Sequence, residues 1–369
     1  MKKFNRYLFV VIFIFMLCIS CREVKWDEEK AKVVSEYYPG RPEIIQYEQD
    51  TSKWEFSCSS GLQIDNDYVR LIKEYYVNGN LRLEYAVDKY KHRYGKYYVY
   101  YESGKIMETG EYSGKYDYGD ACKINKCIRY FENGSVMSIA PYKKNRGGCC
   151  LHGMYKEFYD NSVLKYTAKY KKNFLNGMER KYSEKGKLIQ ETFYKHDKKH
   201  GKSIEYFEDS GKISGITHYN EGVKEGPEVY YYPDNTKRSY REYKEGRLYG
   251  TATDYHSNGR ESYRVFYYEG LPEGREVSFF EDGKLQSEVA WNKGKRDGKS
   301  IHYRTDGTPY NVIIYTGGNM EESTEYRDNG KPLKTIKYKI GEIIQYDENG
   351  EIAGKEPFET NIYDEYGEY

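Results

Sequence analysis

Between Gly274 and Gly298 the chain reads GREVSFFEDGKLQSEVAWNKGKRDG, and its second half alternates. Leu285, Ser287, Val289 and Trp291 fall on one side of an extended segment, and Lys284, Gln286 and Glu288 on the other. A period of two residues predicts a strand with one apolar and one wet face. A helix is excluded because glycine recurs about every ten residues, each costing about 1 kcal/mol in a helix interior.

The phrase repeats. Gly153, Gly177, Gly201, Gly226, Gly250, Gly274 and Gly298 open successive copies 24 residues apart, with one extra residue between Gly201 and Gly226. Five places on, every copy has an aromatic residue: Phe158, Tyr182, Tyr206, Tyr231, Tyr255, Phe279 and Tyr303. A second follows twelve residues later, allowing for the insertion: Tyr170, Tyr194, Tyr219, Tyr243, Tyr267, Trp291 and Tyr315. Between them stands a turn residue, often Asp-Gly or Asn-Gly as at Asp282-Gly283, a strong hairpin signal. Three residues past the second ring comes another turn position, such as Asp197, Gly246 or Gly294. Each unit therefore reads strand, tight turn, strand, turn, and the two series of rings form a candidate binding ladder.

The segments YYVNGNL (75–81), YYESGKI (100–106), YFENGSV (130–136) and FFEDGKL (279–285) resemble the MORN repeat in its variant, YwqK-like form. That resemblance implies an all-β fold, an elongated single-layer antiparallel sheet of about twelve hairpin repeats, flat or curved. The array is expected over residues 68–355, interrupted by a cysteine-containing insertion at 115–152. Residues 21–67 read as an N-terminal linker or cap with one possible degenerate repeat, and residues 356–369 as an acidic tail.

The first 20 residues place Lys2, Lys3 and Arg6 before an apolar run too short to span a bilayer. Followed by Cys21, they resemble a bacterial lipoprotein signal, which implies cleavage before Cys21 and lipid attachment to it. The expected location is the cell envelope, lipid-anchored to a membrane and facing the periplasm or the exterior, with plain secretion as the alternative.

Composition agrees with a surface-rich array. The formal charge is +1 although 32% of residues are charged, so acids and bases are interspersed and nucleic acid is not the expected partner. With 46 Tyr and 14 Phe, the chain suits a thin sheet on which rings pack flat while their hydroxyls reach water.

Catalytic and cofactor motifs do not emerge. His196 and His200 sit at an inter-repeat turn and lack a companion glutamate. GKRDGKS (294–300) has its first glycine one residue too near for a phosphate loop. The carboxylates occur at equivalent repeat positions that read as outward-facing and solvated. Cys122, Cys127, Cys149 and Cys150 cluster in the disrupted stretch, and disulfides stapling it are the first reading, ahead of a zinc site.

These features describe a non-enzymatic, envelope-anchored surface that binds or scaffolds protein partners, with no metal and no cofactor. The alternatives are an antitoxin or immunity protein, as relatives of this repeat are often labelled, and a protein that binds glycan or lipid headgroups.

Overall fold

The computed structural model describes residues 32–36, 44–49, 69–87, 90–114, 121–145 and 148–357. Among them are 28 β-strands and no helix. The residues resolve into two compact units, Met1–Leu164 with Lys169–Asn173 and Lys165–Ala168 with Phe174–Tyr369. The signal segment, Cys21, Cys58 and the acidic end of the tail lie outside the described residues.

Both units are all-β and antiparallel. In the first, strands Lys32–Glu36 and Ile44–Gln49 pair with each other, and the second of them pairs with Val69–Tyr75. Sheet structure thus already occurs in the stretch read as a linker or cap. The ladder continues strand by strand to Val136–Asn145, which pairs with both Gly148–Leu151 and Gly153–Phe158. In the second unit, neighbours in the chain are neighbours in the sheet from Phe174–Tyr182 to Ile352–Pro357.

Two turn types alternate. Within a repeat, the Phe280 amide donates to the Lys284 carbonyl at 2.9 Å and the Gly283 amide to the Phe280 carbonyl at 2.8 Å. Gly283 has φ +89°, and the Asp282 carboxylate accepts the Lys284 amide at 2.9 Å. This is a type I turn closed by one left-handed residue. Between repeats, Lys293 (φ +49°) and Gly294 (φ +80°) are both left-handed, the two-residue type I′ turn. The Asp-Gly pairs therefore build the longer turn, because their aspartate keeps a negative φ and caps the backbone through its side chain.

The recurring opening glycine marks a bulge. Arg264 pairs with Val277 and Phe266 with Glu273, so Gly274, Arg275 and Glu276 together face Val265 alone. Gly274 takes φ +77°, which an ordinary side chain resists. The copy that opens at Asn125 has φ +57° there, and asparagine is the residue that best tolerates this region after glycine.

The extra residue between Gly201 and Gly226 lodges in the hairpin turn. There the Phe207 amide donates to Lys212 and the Gly211 amide to Phe207, one residue longer than elsewhere. Glu205 still pairs with Gly215 and Ser203 with Thr217, so the faces keep their phase.

Burial concentrates in a row across the strand centres. Thr192, Ser203, Thr217 and Glu228 are successive cross-strand partners, and all are buried. Further along, Ala252 and Val265 pair and are sealed from solvent.

The bulge yields a test. Gly274→Ala should lower stability by on the order of 1–2 kcal/mol, read from the urea midpoint, and Gly274→Asn by clearly less. Equal losses would mean that something other than the left-handed backbone selects glycine there.

Candidate interaction faces

The two aromatic series lie on opposite faces in the second unit. Trp291 shares a face with Val289 by alternation, and its Nε1 donates to Glu276 Oε2 at 2.9 Å. Glu276 is the cross-strand partner of Val289. At the equivalent place Tyr243 donates to Glu228 at 3.2 Å, and Glu228 also receives Lys224 Nζ at 2.7 Å and Thr217 Oγ1 at 3.2 Å. Lys224 stands 4.5 Å above the Tyr243 ring. Burial, then the adjacent Glu179 carboxylate, pushes the Tyr194 hydroxyl up to about 12. Where the carboxylate gives way to Ser203 or Ser300, the ring keeps a cation without it: Lys199 lies 4.8 Å over Tyr219, and Arg296 donates to the Tyr315 hydroxyl at 3.0 Å.

On the other face, Tyr206 donates to Glu191 at 2.9 Å and Tyr303 to Glu288 at 2.5 Å. Glu191 and Glu288 directly precede the inward Thr192 and Val289, which puts them on the opposite side of the strand. Arg180 and Arg275 pair with the same two carboxylates. Burial first, and these hydrogen bonds second, raise both hydroxyls to about 12. Phe158, Tyr182, Tyr231, Tyr255 and Phe279 hold the same repeat position as Tyr206, and Tyr170 and Tyr267 that of Tyr243. All fourteen ladder rings are half-buried except Tyr315, which is buried.

The expectation of solvated carboxylates is therefore corrected. Glu108, Glu179 and Glu228 are buried, because a ring laid across the strand centre brings a hydroxyl that needs an acceptor. A sequence signal existed: glutamate two residues after the opening glycine accompanies an aromatic residue fifteen further on, as Glu179 with Tyr194, Glu228 with Tyr243 and Glu276 with Trp291.

In the first unit the same device condenses into a hub. Glu108 receives Tyr97 Oη at 2.6 Å, Lys123 Nζ at 2.5 Å and Arg129 Nε at 2.7 Å. Burial opposes its ionisation, but the bonds from Lys123, Tyr97 and Arg129 outweigh it and hold the carboxyl at about 2. Tyr97 is 1% exposed and crosses Gly110, where a Cβ would come within 2.6 Å of its ring. Its hydroxyl also lies 3.3 Å from the Cys127 sulfur.

Of the four cysteines expected to form bridges, Cys122 and Cys149 are joined, with Cα atoms 5.6 Å apart. Cys127 and Cys150 are not. Both are buried thiols, Cys127 against Tyr97 and Cys150 accepting from Asn145 Nδ2 at 3.2 Å. They lie on different strands, Lys123–Tyr130 and Gly148–Leu151. His196 holds a left-handed turn position and His200 lies on the following strand.

Six segments of the chain match the MORN repeat variant. They are residues 93–113, 125–144, 151–172, 175–196, 272–293 and 340–360. Comparison with curated proteins gives no match. Among solved structures, the chain is similar to the Photorhabdus luminescens Tc holotoxin pore carrying the TccC3-D651A mutation, at 11% identity and TM-score 0.16, over 87% of this chain and 20% of that one. It is also similar to TcdB2-TccC3 without its hypervariable C-terminal region, at 10% identity and TM-score 0.16, over 75% of this chain and 19% of that one. The chain thus spans about a fifth of either structure's length.

Two outcomes follow from this chemistry. The depressed Glu108 carboxyl contributes stability that is complete above its ordinary value of 4.5 and is lost as pH falls toward about 2. The raised hydroxyls of Tyr194, Tyr206 and Tyr303 contribute stability that is complete below 10 and is lost as pH rises toward about 12. Denaturant midpoints measured across both windows should fall at each end, and Glu108→Gln should flatten the acid limb alone. Separately, peptide mapping without reductant should recover Cys122 linked to Cys149, with Cys127 and Cys150 alkylated only after unfolding. Reduction of that bridge, which closes a 27-residue separation, should cost about 3.5 kcal/mol.

Proposed function

We propose that this chain is a non-enzymatic interaction surface that holds a protein partner at the bacterial cell envelope, tethered to a membrane through a lipid on Cys21. The observation that carries this reading is the repetition of one ring-and-carboxylate arrangement along successive strands, Tyr243 with Glu228 and Trp291 with Glu276 on one face, Tyr206 with Glu191 and Tyr303 with Glu288 on the other. Such a surface offers the same contact at regular intervals and suits an extended partner better than a small substrate. Repeats of the matched kind typically bind proteins or membranes, which supports the same reading.

The test is brief crosslinking of the full-length protein on its own membranes, followed by affinity capture, beside a Cys21→Ala form. A stoichiometric protein partner recovered with the unaltered chain, and lost together with membrane association in Cys21→Ala, is the expected outcome. If that partner proves to be a toxin, the surface acts as an immunity protein. Recovery of lipid alone would discard the protein-scaffold reading, and Cys21→Ala remaining on the membrane would discard the tether.

A further inference from the structure

Two hollows in the second unit occupy equivalent places in the repeat, 48 residues apart. The larger, of about 570 Å³, is lined by Tyr230, Tyr232, Ser239, Arg241, Tyr243 and Asp254 among others. The smaller, of about 400 Å³, is lined by Ser278, Phe280, Ser287, His302, Tyr303 and Tyr310 among others. Tyr230, Ser239 and Asp254 lie side by side on successive strands, and so do Ser278, Ser287 and His302. Adding 48 to the first three numbers gives the second three.

One position distinguishes both hollows from the copy between them. Ser239 and Ser287 stand thirteen residues after their opening glycines, and the copy between them has Tyr263 there. The Tyr263 ring is half-buried, and burial, then the nearby Glu276 carboxylate, raises its hydroxyl. Small residues leave the face open where tyrosine closes it. The two openings are four strands apart on one face, about 19 Å at the usual strand spacing.

Their chemistry is selective. In the larger hollow the charges are neutralised locally: Arg241 Nη2 donates to Asp254 Oδ2 at 2.9 Å, and Glu228 is engaged by Lys224 at 2.7 Å. An anion would meet two carboxylates, and a cation would meet Arg241 and Arg238, whose guanidinium lies 5.3 Å over the Tyr230 ring. Half-buried tyrosine rings beside fixed donors and acceptors suit a ligand with an apolar ring face and a hydroxyl edge. The smaller hollow repeats this in neutral form, with the Ser278 and Ser287 hydroxyls 2.6 Å apart and the exposed Tyr310 ring 5.9 Å from His302.

We propose that the Ser239 and Ser287 hollows are paired subsites for an uncharged carbohydrate chain running across the strands. This stands apart from the protein-partner reading, since capture of a partner can fail while sugar binding holds, and the reverse.

The test is calorimetric titration of the full-length protein with cellohexaose, maltohexaose and chitohexaose, each beside its disaccharide. At least one hexasaccharide should bind saturably, and its disaccharide at least about tenfold more weakly, because it spans one hollow only. Ser239→Tyr and Ser287→Tyr copy the residue that Tyr263 already supplies, so each should weaken the hexasaccharide by about tenfold, and the double variant should abolish binding with the far-ultraviolet circular dichroism unchanged. Tyr310→Ala removes an exposed ring and gives a second, fold-neutral loss. Failure of all three hexasaccharides to bind would overturn the proposal. So would binding that survives in the folded double variant, or displacement of the sugar by inorganic phosphate.

Discussion

A tyrosine ring laid across the centre of a sheet brings its hydroxyl with it, and that hydroxyl must find an acceptor. Most of the second unit can be understood from this constraint. The chain covers its strand centres with rings rather than aliphatic side chains, so acceptors recur at fixed distances: Glu228 under Tyr243, Glu276 under Trp291, Glu191 under Tyr206 and Glu288 under Tyr303. The carboxylates then need their own compensation once water is excluded, and Lys224, Arg180 and Arg275 supply it. Carboxylates spaced as surface charge would be are thereby drawn inward, while their cations reach them from the more exposed side.

The same constraint explains where the repeat departs from itself. At the Glu108 hub one acceptor serves Tyr97, Lys123 and Arg129 together, and the crossing strand has no side chain at Gly110 beneath the ring. At Arg241 a guanidinium enters the central row where other copies have Thr192, Thr217, Val265 or Val289, and it is held by Asp254 and two backbone carbonyls. Arg241 exchanges the usual small or branched residue of the row for a charged network, whereas at the hub the row position is emptied to glycine at Gly110 beneath the Tyr97 ring.

The strands and turns were legible because both depend on local spacing. The 24-residue beat, the alternation after Lys284 and the recurring glycines are properties of a few consecutive residues. What is fixed by contact across strands was harder to see. Glu179 or Glu228 considered alone is an ordinary solvated acid, and only its constant offset from a later ring reveals the bond. The cysteines show the same limit: the cluster was visible, but which two meet depends on how Lys144 aligns with Cys149 across neighbouring strands, and spacing does not encode that. The opening glycine was readable as a repeat marker but not as a bulge, because its left-handed backbone depends on the adjacent strand being two places short.

The longer turn at Phe207–Lys212 bears on how such an array can change over time. An added residue inside a strand would reverse every later side chain, yet here it left Ser203 opposite Thr217 and disturbed nothing downstream. Turns of this kind join the two strands of a repeat, while many repeats are joined to the next by two-residue turns, as at Lys293-Gly294, and others by longer ones, as between Pro332–Lys337 and Glu342–Tyr346. Freedom to diversify therefore resides in the turns of either kind, as the long join between Ile106–Ser113 and Lys123–Tyr130 also shows, while the strand interiors keep the frame in register.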